Sequence, residues 1–131
     1  MGAFDALGIA ASGMGMHQTW LDCLGHNIAN VNTAKPTSGP AFQAQMVVAQ
    51  EVGSGGVQVS GIAKGDPNGR LVFSPDSPLA DQNGYVRMPD IDLGSQMSQL
   101  IMAQRGFQAQ ASVVRNAQDV YSAAIGIGKN S

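Results

Sequence analysis

Few side chains in this sequence have the types and spacing that chemistry requires. Cys23 and His26 lie three residues apart, so on a helix they would share one face and could form a thiolate–imidazole pair or half of a metal site. No third ligand lies near them in the sequence, and neither His17 nor His26 belongs to a ligand spacing such as H-E-x-x-H. We therefore expect no metal centre, and we interpret Cys23 and His17 as packed side chains of a helix.

Glycine-rich segments and a run of aspartates are equally poor candidates for a reaction site. Residues 53–56 and 61–65 lack the G-K-[ST] ending of a phosphate loop, and neither segment leads into a helix. The aspartates between residues 76 and 92 are irregularly spaced and do not follow the EF-hand pattern, which favours solvated turns over a calcium site. A nucleophile elbow, G-x-S-x-G, is also absent. The sequence predicts no enzyme, no catalytic residue and no cofactor.

The charge pattern excludes further classes of function. Charged residues make up 12% of the 131 residues and the net charge is −2, with no cluster of Lys or Arg, so nucleic acid is not an expected partner. The apolar stretches are interrupted well short of the roughly 18 to 20 residues that span a bilayer, so we expect no membrane insertion. Residues 1–11 lack the basic and apolar regions of a cleaved secretory signal. The single cysteine excludes an intramolecular disulfide framework.

Both ends of the chain carry a seven-residue apolar repeat. The first repeat consists of Leu7, Met14, Leu21 and Ile28, with Ala10, His17, Leu24 and Val31 three residues later. The second consists of Leu93, Leu100, Phe107, Val114 and Tyr121, with Met97, Gln104, Ala111, Gln118 and Ile125 four residues on. Such a repeat puts a narrow apolar seam on a long helix, and another helix usually covers that seam in a coiled coil. We predict helices over about residues 3–30 and from 92–95 to 127.

The composition of these helices suits association. The first contains four glycines, each of which costs on the order of 1 kcal/mol relative to alanine in a helix interior, so this helix should be marginal alone. The second has polar gaps in its predicted seam at Gln104 and Gln118, and polar seam positions can fix register and partner. Its remaining surface is mostly neutral amide and small side chains. We therefore expect the last helix to be contacted on more than one side.

The middle of the chain predicts a connector and a small β element. Two prolines and a glycine within residues 35–40 end the first helix. Alternating apolar residues and turn signals then predict short strands at 42–48, 57–60, 71–73 and 85–88. The expected fold class is mainly α with a small β element. Residues 1–31 and 92–131 should pair as a coiled coil in an inner helical domain, with 32–91 between them.

Two motifs resemble a known family. Ala29-Asn30-Val31-Asn32-Thr33 is similar to the A-N-x-x-T motif of the axial proteins of the bacterial flagellum. Residues 73–92 resemble the P-x-x-P-x-A-x-x-x-G-Y-V-x-x-P run of proximal rod proteins, followed by an M-x-x-L-I-x-A-x-R-x-[FY]-x-A segment at 97–109. The residues that carry the run are Pro75, Pro78, Ala80, Gly84, Tyr85, Val86 and Pro89. Family members commonly have Glu at 96 and Asn at 110, where this chain has Gln, and the connector at 35–40 also differs.

The resemblance to the flagellar basal-body rod protein family, and within it to the proximal rod proteins, implies a non-enzymatic structural subunit. Such subunits form the rod, which is the drive shaft that transmits torque from the motor to the hook. The resemblance implies partners of two kinds: copies of this chain and other flagellar rod proteins in a helical assembly, and the type III export apparatus during secretion without a cleaved signal. It places the protein in the basal body, with the helices in an inner tube and the β element outside.

The candidate site residues follow from the seams and the motifs. The candidate subunit-packing residues are Leu7, Met14, Leu21, Leu24, Ile28, Leu93, Met97, Leu100, Phe107, Val114 and Tyr121. The candidate helix-exit residues are Ala29, Asn30, Asn32 and Thr33. Three alternatives remain open: another short axial paralogue, a freestanding coiled-coil adaptor that would be fully folded at high dilution, and a cell-wall hydrolase, for which the sequence lacks the expected carboxylate pair.

Overall fold

The computed structural model describes residues 2–130. It has one long helix at each end of the chain and, between them in sequence, two small antiparallel sheets. The elements are α1 (Ala3–Ala29), β1 (Gln45–Glu51), β2 (Val57–Lys64), β3 (Arg70–Phe73), β4 (Tyr85–Met88) and α2 (Leu93–Asn130). About half of the chain is helical, since α1 has 27 residues and α2 has 38. The predicted class of two terminal helices with a small β element between them is therefore confirmed.

The helix boundaries follow from local hydrogen bonds. At the start of α2, the Asp92 carboxylate accepts a bond from the Ser95 amide at 3.0 Å, which is the geometry of an N-terminal cap. At the end of α1, the Asn30 amide group donates to the His26 carbonyl at 2.9 Å. The predicted end of the last helix at residue 127 was wrong. Gly128 does not adopt a positive φ, so the helix continues to Asn130.

The two helices pack against each other in opposite directions. The Asn27 side chain of α1 bonds that of Gln96 on α2, while His17 lies against Gly106. As the residue number rises along α1, the number of its neighbour on α2 falls by the same amount. The start of α1 is therefore level with about residue 120 of α2, and roughly ten residues of α2, about 15 Å, extend beyond it.

The β1–β2 hairpin lies lengthwise on α1. Its start is bonded to Asn27, and its far end is bonded to Ser12, whose hydroxyl accepts the Val57 amide at 3.1 Å. Fifteen residues of helix rise about 22 Å, which is close to the length of a seven-residue strand. The register shifts between Val48 and Ala49, where Ser60 is the extra residue on β2.

The predicted first strand at 42–48 was misplaced by three residues. Residues just before β1 bond to the turn after β2 instead of to a strand. The Ala41 amide donates to the Pro67 carbonyl, and the Gly65 amide donates to the Ala44 carbonyl, both at 2.8 Å. Regular pairing therefore begins only at Gln45 and continues to Glu51.

The second sheet joins the connector to the loop before α2. Strands β3 and β4 pair with each other, and Lys35 of the connector forms an isolated bridge to Arg87 of β4. The Arg87 guanidinium also donates to the Asn68 carbonyl at 2.7 Å and the Thr37 carbonyl at 3.2 Å. One arginine thus ties three separate chain segments together.

The core is thin and made of small side chains. The buried apolar residues are Ala10, Cys23, Leu24, Ala41, Val86 and Ala103. Because alanines and glycines line the helix contact, the two backbones approach closely but bury few large side chains. Many large apolar residues stay exposed, as the sequence predicted for a chain that associates.

Candidate assembly surface

At two points of the helix contact, a side chain of one helix packs against a glycine of the other. A side chain at Gly106 would overlap the imidazole of His17, and a side chain at Gly13 would overlap the amide of Gln110. Since the Gly13 carbonyl accepts a bond from Nδ1 of His17 at 2.9 Å, the opposite nitrogen, Nε2, faces Gly106. Each helix therefore inserts a polar side chain into a notch on the other helix.

Asn27 is the best-satisfied polar group of the interface. It is 1% exposed. Its amide nitrogen donates to the Gln45 carbonyl and to Oε1 of Gln96, both at 2.9 Å, and its oxygen accepts the Gln45 amide at 2.7 Å. A buried amide with all these bonds made links α1 to β1 on one side and to α2 on the other. Nothing in the sequence marks Asn27 for this role, although its partner Gln96 departs from the family pattern.

The face that α2 turns toward α1 differs from the predicted seam. The residues on this face include Gln96, Leu100, Ala103, Gly106, Phe107, Gln110, Val114 and Ala117. The two helices approach each other closely at Ala103 and Gly106, where the side chains of α2 are small. The opposite flank of the predicted seam therefore turns away from α1, and three residues of the predicted interleaved set are exposed: Met97, Gln104 and Gln118. The polar positions of the interface are accordingly Gln96 and Gln110, not Gln104 and Gln118.

The candidate packing residues fall into two groups in the single chain. Leu24 is buried, and the partly buried ones are Leu7, Met14, Leu21, Ile28, Leu100, Phe107 and Val114. Leu93, Met97 and Tyr121 are exposed, at 46%, 45% and 46%. The first group packs largely within the chain, whereas the exposed group has room for a neighbouring molecule.

Most of the circumference of α2 faces outward. Among the elements of residues 2–130, α2 contacts α1 and no β-strand. Its exposed large apolar residues are Leu93, Met97, Ile101, Met102, Val113, Val120, Tyr121, Ile125 and Ile127. They follow the helix from end to end, so the apolar surface is continuous with the α1–α2 contact and is much longer than that contact.

The helix-exit residues form a local network. The Thr33 hydroxyl donates to the side-chain oxygen of Asn30 at 3.0 Å, and the Thr33 amide donates to the Asn30 carbonyl at the same distance. Ala29 and Asn32 are exposed. This network accounts for the presence of Asn and Thr at these positions, because the Asn30 side chain links the His26 carbonyl of the last helical turn to the Thr33 hydroxyl just beyond the helix.

The loop motif folds around a carboxylate and a glycine. Asp81 accepts bonds from the Tyr85 and Asn83 amides and from the Thr37 hydroxyl, each at 2.9 Å. The Tyr85 amide in particular lowers the pKa of Asp81. Gly84 has a φ of 86°, and a side chain there would overlap the ring of Phe73. The aspartates of this loop were predicted to form turns, and Asp81 does so, but its bond to Thr37, 44 residues away, leaves no signal in the sequence. The role of Arg87 leaves none either, because its partners Asn68 and Thr37 are distant in sequence.

The remaining loop-motif residues divide by burial. Val86 and Pro89 are buried, Ala80 is partly buried, and Pro75, Pro78 and Tyr85 are exposed. Tyr85 and Phe73 form a T-shaped ring pair with centroids 5.4 Å apart. The motif thus holds one aromatic pair on an exposed surface.

Cys23 and His26, the first candidates for a reactive pair, differ in their surroundings. Cys23 is buried and His26 is exposed, and burial, followed by the nearby Asp22 carboxylate, raises the pKa of the Cys23 thiol. No group of three His, Cys, Asp or Glu side chains in the described part of the chain is arranged to hold a metal ion. No helix within residues 2–130 has the length and hydropathy needed to cross a bilayer.

Comparison with known proteins gives matches across the chain. A family model described as "Flagellar basal body rod FlgEFG protein C-terminal" matches residues 82–127. The flagellar basal-body rod protein FlgC of Yersinia enterocolitica is 31% identical, and the alignment covers 98% of this chain and 100% of the relative. The proteins of the same name from Salmonella typhimurium and Bacillus subtilis are each 28% identical, with the same shares covered.

Proposed function

This chain belongs to the FlgC family of flagellar basal-body rod proteins, and from that premise we propose that its helices are completed by neighbouring subunits in a tubular rod. Membership of the family makes it a structural subunit of the basal-body rod that assembles with other rod components. The finer proposal is that it forms part of the proximal rod, where it helps to carry torque from the motor to the hook.

The observation that carries this proposal is the one-sided packing of α2. A helix of 38 residues contacts only α1 among the described elements, while large apolar residues such as Val120 and Ile127 are 62% and 73% exposed. An apolar surface of this length is costly in water and is typical of a chain that buries it against other molecules. Contacts repeated by a screw operation produce a helical tube without a closed oligomer.

The proposal also assigns a place in the rod to each part of the chain. Residues 1–31 and 92–131 would form the inner helical layer as a coiled coil with neighbouring helices, and 32–91 would lie outside it. The exposed candidate residues Leu93, Met97 and Tyr121 would pack between subunits. Support comes from the thin core, since a chain with so little burial of its own can pass through an export channel unfolded and gain order on assembly.

Replacement of Phe107 by alanine tests the proposal. Phe107 and Met14 line one groove beside the helix contact. Phe107→Ala should remove about 2–4 kcal/mol of packing, less than for a fully buried ring. In a strain lacking the native gene, we expect normal synthesis but few rods and little swimming. Gln58→Ala, at an exposed position of β2 away from the helix contact, is the control and should swim normally.

Two results would contradict the proposal. One is intact rods and normal swimming with Phe107→Ala, which would show that the α1–α2 contact that Phe107 supports is not needed for assembly. The other is a deletion strain that still builds complete basal bodies without this protein. Electron microscopy of purified basal bodies measures both.

A further inference from the structure

A second apolar line runs along α2, separate from the one that meets α1. It consists of Met102, Ala109, Val113, Val120 and Ile127, all of which are exposed. Val113, Val120 and Ile127 are seven residues apart and so lie on one side of the helix, about 100° around from the α1 contact. We call this line the outer stripe. It borders a shallow apolar groove beside Ala6 at the start of α1, so it is continuous with the helix contact within the chain.

The outward side of α1 has the opposite character. It presents a row of exposed residues, alternately three and four apart, with the exposed His26 at its edge beside Asp22 and Gly25. The row consists of Gly8, Ala11, Gly15, Gln18, Asp22, Gly25 and Ala29. No atom lies within 4 Å of where a side chain at Gly8, Gly15 or Gly25 would begin. This outward side, which we call the glycine face, is turned away from α2 and from the β1–β2 hairpin.

One antiparallel register matches the two surfaces in both size and charge. If Val113 of one molecule lies against Gly15 of another, helix spacing places Val120 against Gly8. The same register brings Arg105, an exposed residue at the edge of the outer stripe, beside Asp22 of the glycine face. Large side chains thus meet open backbone, and the one acidic group of that face meets a cation.

We propose that the outer stripe of α2 packs on the glycine face of α1 in a second copy of this chain, in the register that pairs Val113 with Gly15. The partner is a copy of this chain for two reasons. Its α1 presents small residues at the spacing of the outer stripe and a carboxylate, Asp22, opposite Arg105, and the outer stripe continues the contact that α2 already makes with α1. This inference rests on the proposed rod function and assigns one specific contact within the rod.

Cysteine cross-linking in basal bodies tests the register. Two full-length copies in a Cys23→Ala background are expressed together, one with Gly15→Cys and the other, carrying a tag, with Val113→Cys. A disulfide needs Cα atoms within about 7 Å, so an added oxidant should join the two copies into a dimer of mixed mass. Gly8→Cys with Val120→Cys should cross-link equally well.

The mismatched pair is the control. Gly15→Cys with Val120→Cys is displaced by seven residues, about 10 Å along the helix, and should give at least tenfold less dimer. Equal cross-linking of matched and mismatched pairs would overturn the proposal. Cross-linking only to a different rod protein would overturn it too, because the proposed occupant is a second copy.

Charge reversal provides an independent test that needs no cysteine. Asp22→Arg or Arg105→Asp alone should lower the number of assembled rods about threefold to tenfold, because two like charges face each other. The double variant should recover most of the loss, and failure to recover it would count against the register. If the protein is absent from basal bodies altogether, the proposed function fails. If it is present and no matched pair cross-links, only this inference fails.

Discussion

Asn27 shows how one side chain can position three elements. Its amide pairs with the Gln45 backbone much as a neighbouring strand would, and it also bonds Gln96 across the helix contact. Asparagine is the residue type that can do this, since it offers a donor and an acceptor side by side. This role leaves no signal in the sequence, because Asn27 precedes the A-N-x-x-T motif and its partners are 18 and 69 residues away.

Removal of the Asn27 amide should therefore destabilise the whole helix pair. Asn27→Ala leaves the Gln45 amide and carbonyl without partners, and we expect the free energy of unfolding to fall by about 2–3 kcal/mol. Asn27→Asp should be worse, because a carboxylate would face the Gln45 carbonyl. Urea denaturation followed by circular dichroism measures the change. Gln118→Ala, at an exposed site, should stay within about 0.5 kcal/mol of the native protein, and an equal loss there would contradict the assignment.

Asp81 makes the loop motif sensitive to acid. Hydrogen bonds from Tyr85, Thr37 and Asn83 lower its pKa, so the ionised form is favoured in the folded chain. Its contribution to stability is complete above the unfolded pKa of about 4 and is lost as the pH falls through the lower folded pKa. We expect Asp81→Asn to be less stable than the native protein at pH 7, with a difference that shrinks below pH 4.

The measurement for Asp81 is urea denaturation at several pH values. Asp76→Asn removes an exposed carboxylate from the same loop and serves as the matched control. A difference between Asp81→Asn and the native chain that stayed constant from pH 7 to pH 3 would show that the carboxylate charge is not what orders the loop.

At the scale of elements, the sequence located the helices well and their facing sides less well. The repeats at both ends gave the start of each helix and its approximate length, because apolar spacing depends only on the turn of a single helix. The side of α2 that meets α1 was predicted only in part, because the line through Leu100, Phe107 and Val114 can be extended on either flank. The choice is made by small residues, Ala103 and Gly106, which matter only once a second helix is present.

The glycine notches give a prediction at this scale. In an ordinary helix interior, Gly→Ala stabilises by about 1 kcal/mol. Gly106→Ala should instead destabilise by about 1–2 kcal/mol, because the new methyl group would overlap the imidazole of His17. Gly126→Ala on the same helix has open space and should be neutral or stabilising. Thermal unfolding distinguishes the two, and a stabilising Gly106→Ala would show that the notch is not close-packed.

At the scale of the whole molecule, the chain has too few buried side chains to be complete alone. Half of its six buried apolar residues are alanines, while Leu93, Val120 and Ile127 remain in contact with water. The sequence indicated this incompleteness through its narrow repeats and four helical glycines, and the resemblance to rod proteins supplied the reason. Which surfaces meet in the assembly could not be predicted, because that depends on the helix contact within the chain.

Hydrogen exchange should reveal the incompleteness directly. In dilute solution, amides of α2 beyond about residue 120 should exchange far faster than those near Ala103, because α1 does not reach them. In isolated basal bodies the same amides should become protected. A dilute chain that melts in one sharp transition with both ends already protected would contradict the proposed role and favour a freestanding adaptor.

The interlocked glycines also bear on how the chain responds to force. The His17 side chain of α1 packs against Gly106 of α2, and the Gln110 side chain of α2 packs against Gly13 of α1, so each helix holds the other at one position. Sliding one helix along the other, in either direction, must first lift a ring or an amide out of its recess. Shear along the helix axes therefore meets a steric barrier as well as the weaker resistance of apolar contact.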